Sequence, residues 1–128
     1  MNIKSQVQDL QQIKMSIIRS QVSFKRLEAK ELSKWAKIPT SIAGDCMNRQ
    51  NIMSSRISSI RDGMTLCGQA RTVSITHGDN SAIHAALTVI NQSDILVVEG
   101  GGFKDRAVWG ELMSLSSIHI GLGGVVID

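Results

Sequence analysis

The sequence has 128 residues, 42% of them apolar, with 14 Lys+Arg, 11 Asp+Glu and two cysteines. That fits one folded domain and excludes wholesale disorder, a disulfide framework and a membrane span of ~20 apolar residues. The formal charge of +3 is uneven: residues 1–38 hold eight basic and three acidic side chains, the remainder six and eight.

Residues 1–12 have no apolar core of the kind a secretory signal needs, so a cytoplasmic, reduced setting is expected. Residues 5–36 read as helix. Leu10, Ile13 and Ile17 recur at helical spacing, Leu27, Leu32 and Trp35 less regularly, and Ser5 is a candidate N-cap. A joint near Ser20–Ser23 divides the stretch in two. Its charges read as a solvated face. No nucleic-acid contact is expected, because neither interleaved aromatics nor a binding motif accompanies them. Pro39 stops the second helix by pushing the preceding residue out of the α region. Residues 41–48 read as a short helix, and Asp62-Gly63 as a turn.

From residue 68 the pattern is sharper. Residues 69–76 alternate and suit a strand. Residues 80–90 place Ile83, Ala86, Leu87 and Ile90 on one helical face. Residues 94–99 carry a continuous apolar run, typical of a strand buried on both faces. Residues 105–117 read as helix, and residues 125–127 as a second buried strand, a neighbour or near-neighbour of the first. The alternation defines an α/β fold with a partly parallel sheet.

Several residues are candidates for chemistry. Gly100, Gly101 and Gly102 leave the C-terminal end of a buried strand, where ligands of open α/β sheets sit. They form neither a Walker loop nor a dinucleotide fingerprint, so a nucleotide site competes with a plain tight turn. Gly110 interrupts a helical pattern. One explanation is a helix that starts there, with free N–H groups for a carboxylate and Glu111 in its first turn; the other is a close-packing glycine beside a surface glutamate. His77 and Asp79 flank Gly78 in a loop. His84 lies opposite an apolar helix face, and His119 near a helix end. Their scatter gives no paired metal-ligand spacing. Cys46 and Cys67 read as small buried apolar residues.

The segments TSIAGDC at 40–46, GQARTV at 68–73, HGDN at 77–80, DILVVEGGG at 94–102, WGEL at 109–112 and GLGGVVID at 121–128 resemble, in order and spacing, one family. It is that of the 4-hydroxy-4-methyl-2-oxoglutarate aldolases and the regulators of ribonuclease activity A. The resemblance covers about residues 27–128, which leaves residues 1–26 as a basic helical extension outside the family's common core. It implies an α/β sandwich like the phosphohistidine (swivelling) domain, here with N-terminal helices, and a homotrimer or hexamer. It implies a lyase that uses Mg or Mn to release pyruvate from a small keto-acid substrate, with oxaloacetate decarboxylation as a side activity. A non-catalytic regulator that binds and inhibits an RNA-degrading endonuclease is the alternative.

By the same resemblance, the backbone amides of Gly110, Glu111, Leu112 and Met113 hold the pyruvyl carboxylate. Glu111 positions a proton-shuttling water. The family's oxyanion-binding arginine and metal-binding aspartate fall at the fourth and fifth positions beyond Asp128. No metal ligand is therefore expected within these residues, which read as an incomplete copy, inactive alone.

Overall fold

A computed structural model describes residues 17–20 and 23–128. Ser5, Leu10 and Ile13 lie outside the described residues. The elements in chain order are α1 (Ala29–Trp35), α2 (Thr40–Cys46), β1 (Ala70–Ser74), α3 (Ser81–Leu87), β2 (Ile95–Glu99), α4 (Glu111–His119) and β3 (Gly124–Ile127). The fold is mixed α/β, as the alternation predicts. None of the described helices is long and apolar enough to cross a membrane.

The three strands form one parallel sheet in the order β1-β2-β3. Its register puts Val73, Val98 and Ile127 in one row and Arg71, Leu96 and Val125 in the next. Side chains alternate across a strand, so both rows share a face. That face meets Ile83 of α3 and Met113 of α4 in a core with Ile75, Leu96 and Val98. Burying such side chains stabilises the fold by ~1.5–3 kcal/mol each. The expected neighbouring of 94–99 and 125–127 is observed.

Several boundaries differ from expectation. Residues 17–20 and 23–28 are irregular, not helical, and the first described helix begins only at Ala29. The reason is tertiary. Arg26 reaches a buried carboxylate, and the Leu27 N–H donates to Gln69 Oε1 at 3.4 Å, which holds the chain extended before α1. The Glu28 N–H then donates to Glu31 Oε2 at 3.0 Å, one arm of a capping box. Helix α1 buries none of its residues, so Trp35 stays exposed. Helix α3 ends at Leu87, where the Thr88 hydroxyl donates to the Ala85 carbonyl at 2.7 Å. Helix α4 begins six residues later than expected, after an extended Gly110 at φ −145° and ψ −176°. Strand β3 is half-buried rather than buried, because it is the sheet's edge among the described residues. Cys46 and Cys67 are exposed, contrary to expectation. Each lies outside the sheet, and the Cys67 thiol donates to the Leu32 carbonyl at 3.5 Å on the surface.

The deepest polar group is Asp94, with no exposed surface, at the entry to β2. A buried carboxylate is costly unless it is paired. Arg26 Nη1 donates to its Oδ2 at 3.3 Å and Arg26 Nη2 to its Oδ1. Arg71 Nε and the Asn91 N–H each donate to Oδ2 at 3.0 Å. Only one orientation of the Asn91 amide suits both guanidinium groups; in it the amide oxygen accepts from Arg26 at 3.2 Å and Arg71 at 3.1 Å. The Arg71 guanidinium also stacks 4.9 Å from the Phe24 ring centroid. Burial pushes the Asp94 carboxyl up, but the bonds from Arg26, Asn91 and Arg71 outweigh it and hold it below the usual carboxylate range.

Two outcomes follow for denaturation experiments. Asp94→Ala should lose about 2 kcal/mol, since it removes the charge-assisted hydrogen bonds from Arg26 and Arg71, and Arg26→Ala should lose less, because Arg71 and Asn91 still serve the carboxylate. A group whose pKa is depressed on folding lends stability above its unfolded pKa and loses it as pH falls through the folded one. Melting temperatures should therefore drop below about pH 4. Asp94→Asn should flatten that acid limb; an unchanged limb would remove Asp94 from the explanation.

Candidate functional site

The three strands run the same way, so their C-terminal ends gather on one edge, and the connecting loops rise from it. Such edges collect ligands in open α/β sheets because loops there diverge and leave backbone groups unpaired. Ser74 Oγ donates to Glu99 Oε2 at 2.5 Å across the β1–β2 pair. The Gly100 N–H donates to Asp128 Oδ1 at 2.5 Å. The glycine loop thus leaves β2 already tied to its neighbour strands.

Helix α4 starts where the free-amide reading of Gly110 places it. Gly110 is the N-cap, Glu111 the first helical residue, and the Ser114 N–H makes the first turn's bond to the Gly110 carbonyl at 3.0 Å. Ser114 Oγ also donates to that carbonyl at 3.1 Å and accepts from Trp109 Nε1 at 2.9 Å, which locks the approach to the helix. Among the described residues, the N–H groups of Gly110, Glu111, Leu112 and Met113 donate to no other backbone carbonyl. A Cβ at Gly110 would meet nothing within 4 Å, so the ground beside those donors is open. Met113 points the other way, into the core at 5% exposure, while Leu112 is 80% exposed. Four free N–H groups and the positive end of the helix dipole suit a carboxylate.

The loop 77–80 lies between α4 and the glycine loop. On one side Asn80 Nδ2 is 4.0 Å from Met113 Sδ. On the other, His77 stacks on Phe103 with centroids 5.2 Å apart and ring planes within 4°. Gly101 has φ +70°, and a Cβ there would lie 2.6 Å from His77 Nε2. Only glycine lets the loop take that conformation against the imidazole. His77 is therefore a positioned side chain at the site's rim. Asp79 serves the fold instead, since its Oδ1 accepts from the Ser81 N–H at 2.8 Å at the head of α3. Bonding from the Ser81 side chain and backbone holds its carboxyl below the usual range.

His84 and His119 sit on exposed helix surfaces and do not join the site. Among the described residues no three His, Cys, Asp or Glu side chains converge as a metal site would require. A shallow cavity of about 380 Å³ on α2, lined by Thr40, Ser41, Gly44, Asp45, Arg49 and Ile52, contains no candidate residue. Two side chains that sequence reasoning passed over stand close to these loops, one by Gly102 and one by Gly78. Arg56 Nη1 is 4.0 Å from where a Gly102 Cβ would be, and the Arg106 stem packs against Gly78. Nothing in the sequence marks them, because Arg56 is 50 residues from Arg106 and neither belongs to a motif.

The architecture is thus a parallel α/β domain whose loops present a helix N-terminus at the strand ends. A profile of the Aldolase/RraA family matches residues 40–128, and the chain belongs to that family. A curated relative from Halalkalibacterium halodurans, provisionally named a 4-hydroxy-4-methyl-2-oxoglutarate aldolase, is 27% identical over 97 residues. The alignment takes in 76% of this chain and 46% of that relative, so the chain spans about half of its relative's length.

The packing of His77 yields a direct test. Gly101→Ala should destabilise the domain by about 2 kcal/mol, through a left-handed conformation and a collision with the ring. It should also displace the His77 and Phe103 side-chain resonances. A variant with wild-type melting and unshifted rings would contradict this packing.

Proposed function

We propose that the domain is part of a pyruvate-releasing aldolase, a lyase acting on 4-hydroxy-4-methyl-2-oxoglutarate-type keto acids with oxaloacetate decarboxylation as a side activity. The finer architecture proposed with it is the family's α/β sandwich. The observation that carries the reading is the open, unpaired N-terminus of α4 at the strand ends. The substrate's 2-oxo carboxylate docks on the N–H groups of Gly110, Glu111, Leu112 and Met113. Cleavage breaks the C3–C4 bond. Its electron pair becomes the pyruvate enolate, and the C4 hydroxyl loses its proton as the second keto acid forms. The enolate then takes a proton at C3. Glu111, exposed in the first helical turn, holds the water that delivers that proton.

Dependence on Mg or Mn belongs to this reading through the family resemblance alone. The described residues do not fit a metal site of their own, and the roles given to Gly110–Met113 need no cation. The exposed Leu112, Leu115 and Ile118 on α4 support assembly into a homotrimer or hexamer. The same apolar face is what favours the second reading, a non-catalytic regulator that docks on an RNA-degrading endonuclease.

The deciding assay measures pyruvate from 4-hydroxy-4-methyl-2-oxoglutarate and from oxaloacetate, with Mg²⁺ and with EDTA. The aldolase reading expects pyruvate release that EDTA abolishes. Endonuclease inhibition without pyruvate release would favour the regulator instead. In the active protein Glu111→Gln should lower turnover about 10²-fold. Gly110→Ala has room for its methyl group, so it should keep wild-type melting while weakening substrate binding; unchanged binding would move the carboxylate elsewhere. Light scattering checks the assembly, and a monomer at micromolar concentration would refute it.

A further inference from the structure

We propose that the leader, described here as residues 17–20 and 23–38, docks on a membrane surface, laying its apolar and basic side chains into the headgroup layer of an anionic bilayer. This surface lies ahead of the residues that the family profile matches, and it is independent of α4 and its free amides. In the sequence its charges read as a solvated face. The structure leaves apolar side chains exposed among them. Ile17, Ile18, Leu27, Trp35 and Ile38 are all exposed, Ile18 at 89% and Trp35 at 52%. Helix α1 buries none of its residues. Its turns run on past Trp35: the Lys37 N–H donates to the Lys34 carbonyl at 3.1 Å, and the Ile38 N–H to the Trp35 carbonyl at 3.0 Å. Lys30, Lys34 and Lys37, at i, i+4 and i+7, therefore share one face, and Leu32 and Trp35 fall on another.

The leader is held against the domain at its middle. Arg26 pairs with Asp94, the Leu27 N–H donates to Gln69 Oε1, and the Phe24 ring lies under Arg71. With Arg26 so occupied, Arg19, Lys25, Lys30, Lys34 and Lys37 stand against two acids, Glu28 and Glu31. Among the described residues the ion pairs are made by Arg26, Arg49 and Arg71, so none of those five cations pairs with an acid.

An anionic bilayer is the occupant that uses both features. Tryptophan settles at headgroup level, isoleucine reaches the acyl boundary, and lysine stems follow while their ammonium groups stay among the phosphates. Binding then sums the buried apolar area and the attraction to anionic lipid. A second copy of the chain fits less well, because protein interface cores are depleted of lysine, and here lysines alternate with the apolar side chains. RNA would gain from the cations but nothing from the isoleucines, and the leader's one unengaged aromatic ring makes no stacking platform.

The test is co-sedimentation of the 128-residue protein with vesicles of phosphatidylcholine alone and of phosphatidylcholine mixed equally with phosphatidylserine. Binding to the mixed vesicles should be at least about ten-fold tighter than to the neutral ones and should weaken as salt is added. It should bring a blue shift in tryptophan emission that Trp35→Phe abolishes. Lys30→Gln, Lys34→Gln and Lys37→Gln should each weaken binding about five-fold, and together roughly 100-fold. These side chains are exposed, so the variants should keep wild-type melting, which separates lost docking from lost folding. No binding to either vesicle, equal binding to both, binding that survives the triple lysine variant, or an unshifted Trp35 emission overturns the proposal. Lysine-dependent binding of single-stranded RNA that is tighter than binding to the mixed vesicles would also overturn it and assign the surface to nucleic acid. So would self-association that Trp35→Ser abolishes and vesicles leave intact, which would make the surface an interface between copies.

Discussion

A single carboxylate organises this domain. Asp94 lies in the interior, where an unpaired charge would cost several kcal/mol, so the chain must bring it partners. It draws Arg71 from β1, the Asn91 N–H from the turn before β2, and Arg26 from the leader. Its backbone carbonyl accepts from the Gly123 N–H at 2.8 Å, just before β3 begins. The entry points of all three strands and the N-terminal segment thus meet around one group. These contacts help set the sheet's register, because a one-residue slip would point Arg71 away from Asp94.

With the strand entries so constrained, the opposite ends can carry loops that satisfy fewer of their own polar groups. Helix α4 does not run back to residue 105. It waits until Glu111, and Gly110 precedes it in an extended conformation with open space beside it. A helix started earlier would consume the N–H groups of Gly110 to Met113 in its own ladder. The late start leaves these donors unpaired, as a carboxylate site requires. Gly101 makes a related contribution, since only a residue without a side chain lets the loop lie against the stacked His77 ring. Structural demand and chemical opportunity are divided between the two ends of one parallel sheet.

The exposed apolar residues of α4 share the helix that presents the site. Leu112, Leu115 and Ile118 face outward while Met113 and Ser117 face the core. The helix therefore has two apolar surfaces, and the described chain covers one of them. A contact on the outer surface would act directly on the segment that holds the free amides. The exposed apolar residues and the unpaired amides are therefore physically adjacent on one helix.

Much of the fold was legible in the residues. The apolar run of β2, the 3.6-residue face of α3 and the glycines around β3 each reflect local periodicity and backbone freedom, which act over a few positions of sequence. The possible helix start at Gly110 was legible too, since a glycine is unfavourable inside a helix and acceptable at its cap. What the sequence could not convey was anything made by distant partners. Residues 17–20 and 23–28 have charges and apolar spacing suited to a helix, yet Arg26 leaves that pattern to neutralise Asp94, 68 positions away. Nothing in the residues around Asp94 marks it as a buried charge. Cys46 and Cys67 were read as buried, but they fall on surface segments. The half-burial of β3 and the packing of His77 on Phe103 likewise arise only when the chain closes on itself. Local chemistry chose the helices and strands; desolvation and charge pairing between remote segments decided where they ended and what they faced.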